Sequence, residues 1–204
     1  IRPTLLEQIN SVKSIAVDVD DTQGGGSLTL FRDPQLADAG DALELVDLRR
    51  YGAPVAYYAL RVERLVANGL YVTGLKKQPI VVIFDTGLTG VQLSRNLAEA
   101  LGPLRQIGLE LKTAHGDLLR FAASTKKNPR FLATPLDVPW GHNKLYVLVL
   151  GLAFLVGRRL VVDVDDNRLR IQPSILDHPR LDDDAWELTS TTDLSATRAS
   201  ELLQ

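Results

Sequence analysis

The sequence predicts an all-β domain, mainly strands with one or two short helices. Short apolar or alternating runs, each bounded by Gly, Pro, Asn or Asp, recur along most of the chain, which is the pattern of strands joined by turns. Helical periodicity with matching start and stop residues is confined to brief stretches. Many short strands at regular spacing suggest a closed or sandwiched β architecture.

Residues 3–10 put Leu5, Leu6 and Ile9 on one side of a short helix. Residues 14–20 alternate as a half-buried strand does, Gly24, Gly25 and Gly26 supply a turn, and residues 27–31 return as a strand. A loop over 33–41 follows. Residues 43–49 and 55–65 read as strands around a turn at Tyr51-Gly52-Ala53-Pro54, and 70–73 and 79–84 continue the β pattern. A helix over 94–101 has Ser94 as its N-cap and Gly102-Pro103 as its stop. Strands over 109–113 and 118–122 flank a turn at His115-Gly116-Asp117, and Lys126, Lys127, Asn128 and Pro129 form a polar loop. Strands over 146–149, 160–164 and 169–171 follow, the last two joined by a tight turn at Asp165-Asp166-Asn167. From Pro173 the chain is acidic and turn-rich, a tail with one short helix near 196–203.

With 204 residues, 45% hydrophobic and 24% charged, the chain has the make-up of an ordinary globular protein. Its net charge of -2, with no basic block interleaved with aromatics, argues against a nucleic-acid partner. No apolar run approaches the roughly eighteen residues of a membrane-spanning helix, so no transmembrane segment is expected. The absence of cysteine removes disulfides, zinc–thiolate sites and cysteine nucleophiles together. A chain that begins at Ile1 and has no methionine is expected to be either a trimmed piece or a mature product of processing. The second case implies a removed targeting peptide. The compartment stays open, since a cysteine-free chain suits any redox poise.

One constellation points to chemistry. Five apolar residues, Ile80-Val81-Val82-Ile83-Phe84, deliver Asp85-Thr86-Gly87 into a turn. A carboxylate at the end of a buried strand is costly unless it has partners or work, and a glycine two residues later allows close backbone approach. Next come Leu88-Thr89-Gly90-Val91-Gln92-Leu93-Ser94 and a short helix. About sixty residues on stands Val147-Leu148-Val149-Leu150-Gly151-Leu152-Ala153-Phe154-Leu155, followed by the hairpin from Leu160 to Ile171.

This order resembles the retropepsin-like aspartic proteases over roughly 55–172: an apolar strand, Asp-Thr-Gly, a flap hairpin, an apolar-Leu-Gly-x-x-Phe-Leu segment and a closing hairpin. The resemblance implies a small acid-protease barrel with Asp85 as the catalytic carboxylate. Thr86 would hydrogen-bond across a dimer interface, Gly87 would let two such loops approach, and the segment ending in Gly151 would brace the loop. Ala114, His115, Gly116 and Asp117 stand where the family has its flap. No cofactor or metal is implied. On this division 1–52 is a strand-rich N-terminal extension, 53–172 the protease-like domain and 173–204 the acidic tail.

Such chemistry needs two aspartates about 3 Å apart that share one proton. The chain has a single Asp-Thr-Gly, and its nearest echo, Asp21-Thr22-Gln23-Gly24, carries an inserted residue. Activity on a peptide substrate therefore calls for a homodimer with Asp85 of each copy at the two-fold axis. Two residues depart from the family pattern. Active members carry Ala, Ser or Thr where this chain has Leu88, and the flap turn lacks a glycine-rich tip and holds the charged Asp117. A second reading stays open: a non-catalytic scaffold subunit that docks by its terminal arms into a larger assembly, with Trp186 as a partner contact and an organellar, photosynthetic complex as one setting.

Other candidates are weaker. Val-Asp-Val-Asp-Asp recurs at 17–21 and 162–166, but an EF-hand loop needs Gly at its sixth position and Glu at its twelfth. Those positions hold Gln23 and Thr29, or Arg168 and Ser174. Solvated aspartates alternating along a strand explain both copies. The glycine triplet opens onto a strand with no Gly-Lys-Ser/Thr behind it, so it is no phosphate cradle. His115, His142 and His178 lack metal-ligand spacing. No Gly-x-Ser-x-Gly elbow occurs. Trp140, in a Pro-Trp-Gly-His turn, reads as a loop anchor.

Overall fold

The computed structural model describes residues 11–19, 26–37, 39–54, 57–73, 75, 77–124, 133–140, 144–155, 157–163, 165–173 and 189–191. The expected helices over 3–10 and 196–203, the polar loop from Lys126, the Asp21-Thr22-Gln23-Gly24 echo, His142, His178 and Trp186 lie outside them.

The described chain is mainly β, with one α-helix. β1 (Ser14–Val19) and β2 (Gly26–Phe31) form a hairpin. β3 (Leu43–Val46) leads into a 3-10 turn over Leu48–Tyr51. β4 (Ala59–Ala67), β5 (Leu70–Tyr71), β6 (Ile80–Phe84) and β7 (Val91–Ser94) follow, then α1 (Arg95–Leu101). β8 (Gln106–Lys112) and β9 (Leu118–Ser124) form a second hairpin. β10 (Ala133–Leu136), β11 (Tyr146–Leu150), a 3-10 turn over Leu152–Phe154, β12 (Arg158–Asp163), β13 (Arg168–Pro173) and β14 (Thr189–Thr191) complete the order. Among the described residues no helix is long and apolar enough to cross a membrane.

The strands form one sheet in the order β10-β7-β11-β6-β4-β3-β13-β12-β1-β2, with β5 and, through β8, β9 and β14 branching from the far half of β4. The path is open, ending at β10 and β2, so the closure suggested by the strand spacing is not what the described ladder shows. Strands on either side of residue 52 share this sheet: β1 pairs with β12, and β3 with both β4 and β13.

β6 and β11 are uniformly apolar because both of their faces are buried. Val82, Phe84, Leu148 and Leu150 point into the main core with Leu93, Leu97 and Phe154. Val81, Ile83, Val147 and Val149 point the other way, into a second cluster with Leu48, Ala53, Ala59 and Leu145. Trp140 stacks on Tyr57, ring centroids 5.8 Å apart, over that second cluster. A third, smaller cluster joins Ala16 and Val161 to Leu36, Ala39 and Ala42.

Three local expectations need correction. The strand expected over 43–49 stops at Val46, because the Asp47 carboxylate accepts from the Arg49 amide at 3.0 Å and starts a 3-10 turn. Gly52, at φ 92°, then closes that turn in the left-handed region. Ser94 precedes α1, yet its side chain makes no capping bond. Its hydroxyl instead accepts from the buried Val147 amide at 3.0 Å.

The third concerns the repeated aspartates. Asp18 and Asp163 are buried, each 1% exposed, rather than solvated. The antiparallel pairing of β1 with β12 sets Asp18 against Arg159, which donates to it at 2.9 Å, and Asp163 against Ser14, whose hydroxyl donates to its carboxylate. Asp163 also accepts from the amides of Gln35 (2.9 Å) and Leu36 (2.6 Å). Partners in place explain how the two carboxylates tolerate burial.

Candidate functional site

β6 ends at Phe84, and the chain turns through residues 85–90 before returning as β7. β7 does not pair with β6. β11 lies between them, parallel to β6 (Val147↔Val81, Val149↔Ile83) and antiparallel to β7 (Leu148↔Leu93, Leu150↔Val91). The 85–90 loop therefore bridges over the end of an inserted strand.

The backbone ties this arrangement together. The Asp85 amide donates to Leu150 O at 2.9 Å, the Gly151 amide to Gly90 O at 2.8 Å, and the Leu152 amide to Leu88 O. A Cβ at position 151 would sit 2.5 Å from the Leu88 carbonyl carbon and 2.8 Å from Gly90 O. At φ −91° and ψ −165° the Gly151 backbone suits any residue. Space, not conformation, demands glycine here. Just beyond it, Leu152–Phe154 makes its 3-10 turn and sinks Phe154 and Leu155 into the main core.

Asp85, Thr86 and Gly87 stand exposed at the crest of the loop. The Gly87 amide donates to Asp85 Oδ1 at 2.8 Å, and the Leu88 amide closes the turn onto Asp85 O at 3.2 Å. A Cβ at position 87 would come within 3.2 Å of that same Oδ1, so the glycine leaves the carboxylate unobstructed. Leu88 is half-buried and packs against the second cluster. At the end of β7 away from the loop, Arg95 grips Asp137 through Nε (3.0 Å) and Nη2 (3.3 Å), linking the start of α1 to the chain after β10. The guanidinium holds the Asp137 carboxyl below its usual range, and the carboxylate raises Arg95.

Ala114, His115, Gly116 and Asp117 form the tip of the β8–β9 hairpin. The Thr113 amide donates to Asp117 O at 2.9 Å, and Gly116 takes φ 93°. This tip does not stand free. The Ala114 amide donates to Ala42 O at 2.8 Å and the His115 amide to Gly40 O at 3.2 Å. On the third rung from the tip, Glu110↔Arg120, the buried Glu110 carboxylate accepts from Arg120 at 2.7 Å, with Arg64 3.6 Å away.

Asp85, Thr86, Gly87 and Gly151 thus share one loop-and-strand assembly, while the hairpin tip is engaged by residues 40 and 42. Sequence reasoning missed the participation of Leu88 O and Gly90 O as acceptors and of Gly40 and Ala42 as a seat for the tip. Backbone acceptors carry no side-chain signature. The small residues Ala39, Gly40 and Ala42 were a usable hint of close approach. Among the described residues no group of His, Asp or Glu is placed to hold a metal ion. No family model matches the chain, and no curated protein matches it.

Proposed function

We propose that this chain is a retropepsin-like aspartic endopeptidase subunit that hydrolyses peptide bonds as a homodimer, with Asp85 of each copy as a catalytic carboxylate. The observation that supports this best is the insertion of β11 between β6 and β7, with Gly151 seated under a loop that presents Asp85 to solvent. That arrangement fixes the backbone on both sides of one exposed carboxylate. A lone exposed aspartate is a poor acid–base catalyst at mild pH. Two of them about 3 Å apart cannot both ionise and come to share a proton. One carboxylate then takes a proton from the attacking water, while the other gives its proton to the scissile carbonyl oxygen. As the C–N bond of the resulting diol breaks, the carboxyl that took water's proton gives it to the leaving nitrogen, and a diol hydroxyl returns a proton to the other carboxylate, so that the pair again shares one. Thr86 and Gly87 would meet their counterparts at the two-fold axis, and the β8–β9 hairpin would cover the bound peptide.

The engaged hairpin tip and the bulky Leu88 favour a second reading, a non-catalytic scaffold subunit with the same architecture. The two separate in one assay. An unfolded protein incubated with the chain at mildly acid pH should be cut, as read by mass spectrometry of the products. Asp85→Asn should abolish cutting, and equal mixtures of the two chains should lose more than half the activity because mixed dimers are inactive. Identical traces for the wild-type chain and Asp85→Asn would remove the peptidase reading and leave the scaffold.

A further inference from the structure

We infer that the free edge of β2 is a self-pairing surface: two copies of this chain join through antiparallel β2 strands, with Thr29 of each copy at the two-fold axis.

The described ladder ends at β10 on one side and at β2 on the other, and the two edges differ in what they offer a neighbour. β10 is four residues long and carries Pro135, which has no N–H for a further strand. β2 runs for six residues, Gly26-Ser27-Leu28-Thr29-Leu30-Phe31, with no proline and no charged side chain. Its register with β1 is continuous, without a bulge. Among the described residues it pairs with β1 alone, so alternate N–H and C=O groups along it face outward. Charge, proline and bulges are the usual protection of such an edge, and β2 has none of the three.

Its side chains add an apolar strip. Leu28 and Leu30 are 65% and 51% exposed, and among the described residues the only other large hydrophobic side chain counted as exposed is Leu70. Leu28 lies opposite Val17 and Leu30 opposite Ile15 on β1. Both leucines therefore continue the face on which Ile15 and Val17 meet the main core. Phe31 points the other way and packs on the third cluster.

The occupant that fits is a second β2. A two-fold axis through a continuous antiparallel sheet keeps each face on its own side, so one residue must face its own counterpart. With Thr29 facing Thr29, Leu28 of each copy faces Leu30 of the other, and the two cross-strand pairs cover the strip. Centring on Leu28 sets Leu30 against Gly26, and centring on Leu30 sets Leu28 against the charged Arg32. Of these registers the Thr29 one alone matches leucine with leucine. It also sets Arg32 against Gly26 of the second copy. Gly26 pairs with Val19 on β1, and Asp20 and Asp21 follow Val19 in sequence, so opposite charges belong to the two ends of the joint. The β6–β11–β7 unit that presents Asp85 stands elsewhere in the strand order, and the joint makes no use of it.

Because the chain contains no cysteine, any disulfide in a single-cysteine variant links two chains. Facing residues of adjacent antiparallel strands have Cα atoms about 5 Å apart, within disulfide reach. With oxidised glutathione, Thr29→Cys should form covalent dimer about tenfold faster than Leu70→Cys, whose exposed position supplies the rate of random collision. Adding Leu30→Lys to Thr29→Cys puts a charge into the strip and should return the rate to that of Leu70→Cys. Because Leu30 is exposed, the added change should leave the thermal midpoint where it was. Equal rates for Thr29→Cys and Leu70→Cys overturn the joint and leave the edge to a different partner. An acceleration that survives Leu30→Lys overturns the leucine register. No step of the test depends on cleavage, so its outcome is separate from that of the peptidase assay.

Discussion

The Gly151 amide meets the Gly90 carbonyl at 2.8 Å, across a loop whose backbone closes over position 151 from above. The loop carrying Asp85 and the strand contributed from sixty residues later are thereby held as one unit, and the closeness of that contact is measurable.

Replacing Gly151 with Ala drives a methyl group into the Leu88 carbonyl, which is backbone and cannot swing aside. Overpacking of this kind costs about 1–3 kcal/mol and more where backbone must move, so we expect a loss of about 3 kcal/mol in urea unfolding. A loss below about 1 kcal/mol would show that the 85–90 loop yields easily and does not brace Asp85.

Ser94→Ala should destabilise the β7–β11 contact and spare the helix. The Ser94 hydroxyl serves the Val147 amide, not the start of α1, and its removal leaves a buried N–H without an acceptor, at about 1–3 kcal/mol. Hydrogen exchange should show the Val147 amide losing protection while amides within Arg95–Leu101 keep theirs. Faster exchange in the helix instead would mean that Ser94 acts as a cap after all.

Asp47 gives a pH-dependent test. Its hydrogen bond from the Arg49 side chain is the main cause that holds the carboxyl below its ordinary value of 3.8, with burial opposing. A lowered folded-state pKa means that the stabilisation is complete above the unfolded value and fades as pH falls through the folded one. Asp47→Ala should therefore cost about 1 kcal/mol at neutral pH, the usual worth of a capping carboxylate, reduced by the partial exposure of the pair. At a pH acid to that lowered folded-state pKa the variant and the wild type should unfold with similar midpoints. A gap that stays constant with pH would assign the effect to packing.

Much of the β framework was legible because its signals are local. The alternation in Ser14–Val19, the apolar run Ile80–Phe84 and the stop at Gly102-Pro103 each depend on neighbours in sequence. The association of Asp85 with Gly151 was legible only through the paired motifs. Three strands escaped notice for physical reasons. β7 is four residues long and merges into the helix that follows. β10 contains Pro135, which is tolerated because, among the described residues, this strand is an edge paired only with β7. β14 is a polar Thr-Ser-Thr in an acidic tail, paired with β9. The burial of Asp18 and Asp163 was hidden because Arg159, which pairs with Asp18, and Ser14, which donates to Asp163, come from the opposite end of the chain.

The apolar character of both faces of Tyr146–Leu150 has a consequence for how the chain finds its place. A strand with one polar face is kept in phase by the penalty of turning that face inward. Here a slip by one residue would exchange leucines for valines between two greasy compartments, and hydrophobicity alone would resist it weakly. What forbids the slip is the missing side chain at Gly151, since moving either neighbour, Leu150 or Leu152, under the Leu88 and Gly90 carbonyls is sterically barred. A residue with nothing beyond its backbone thus acts as the stop that sets where the inserted strand comes to rest.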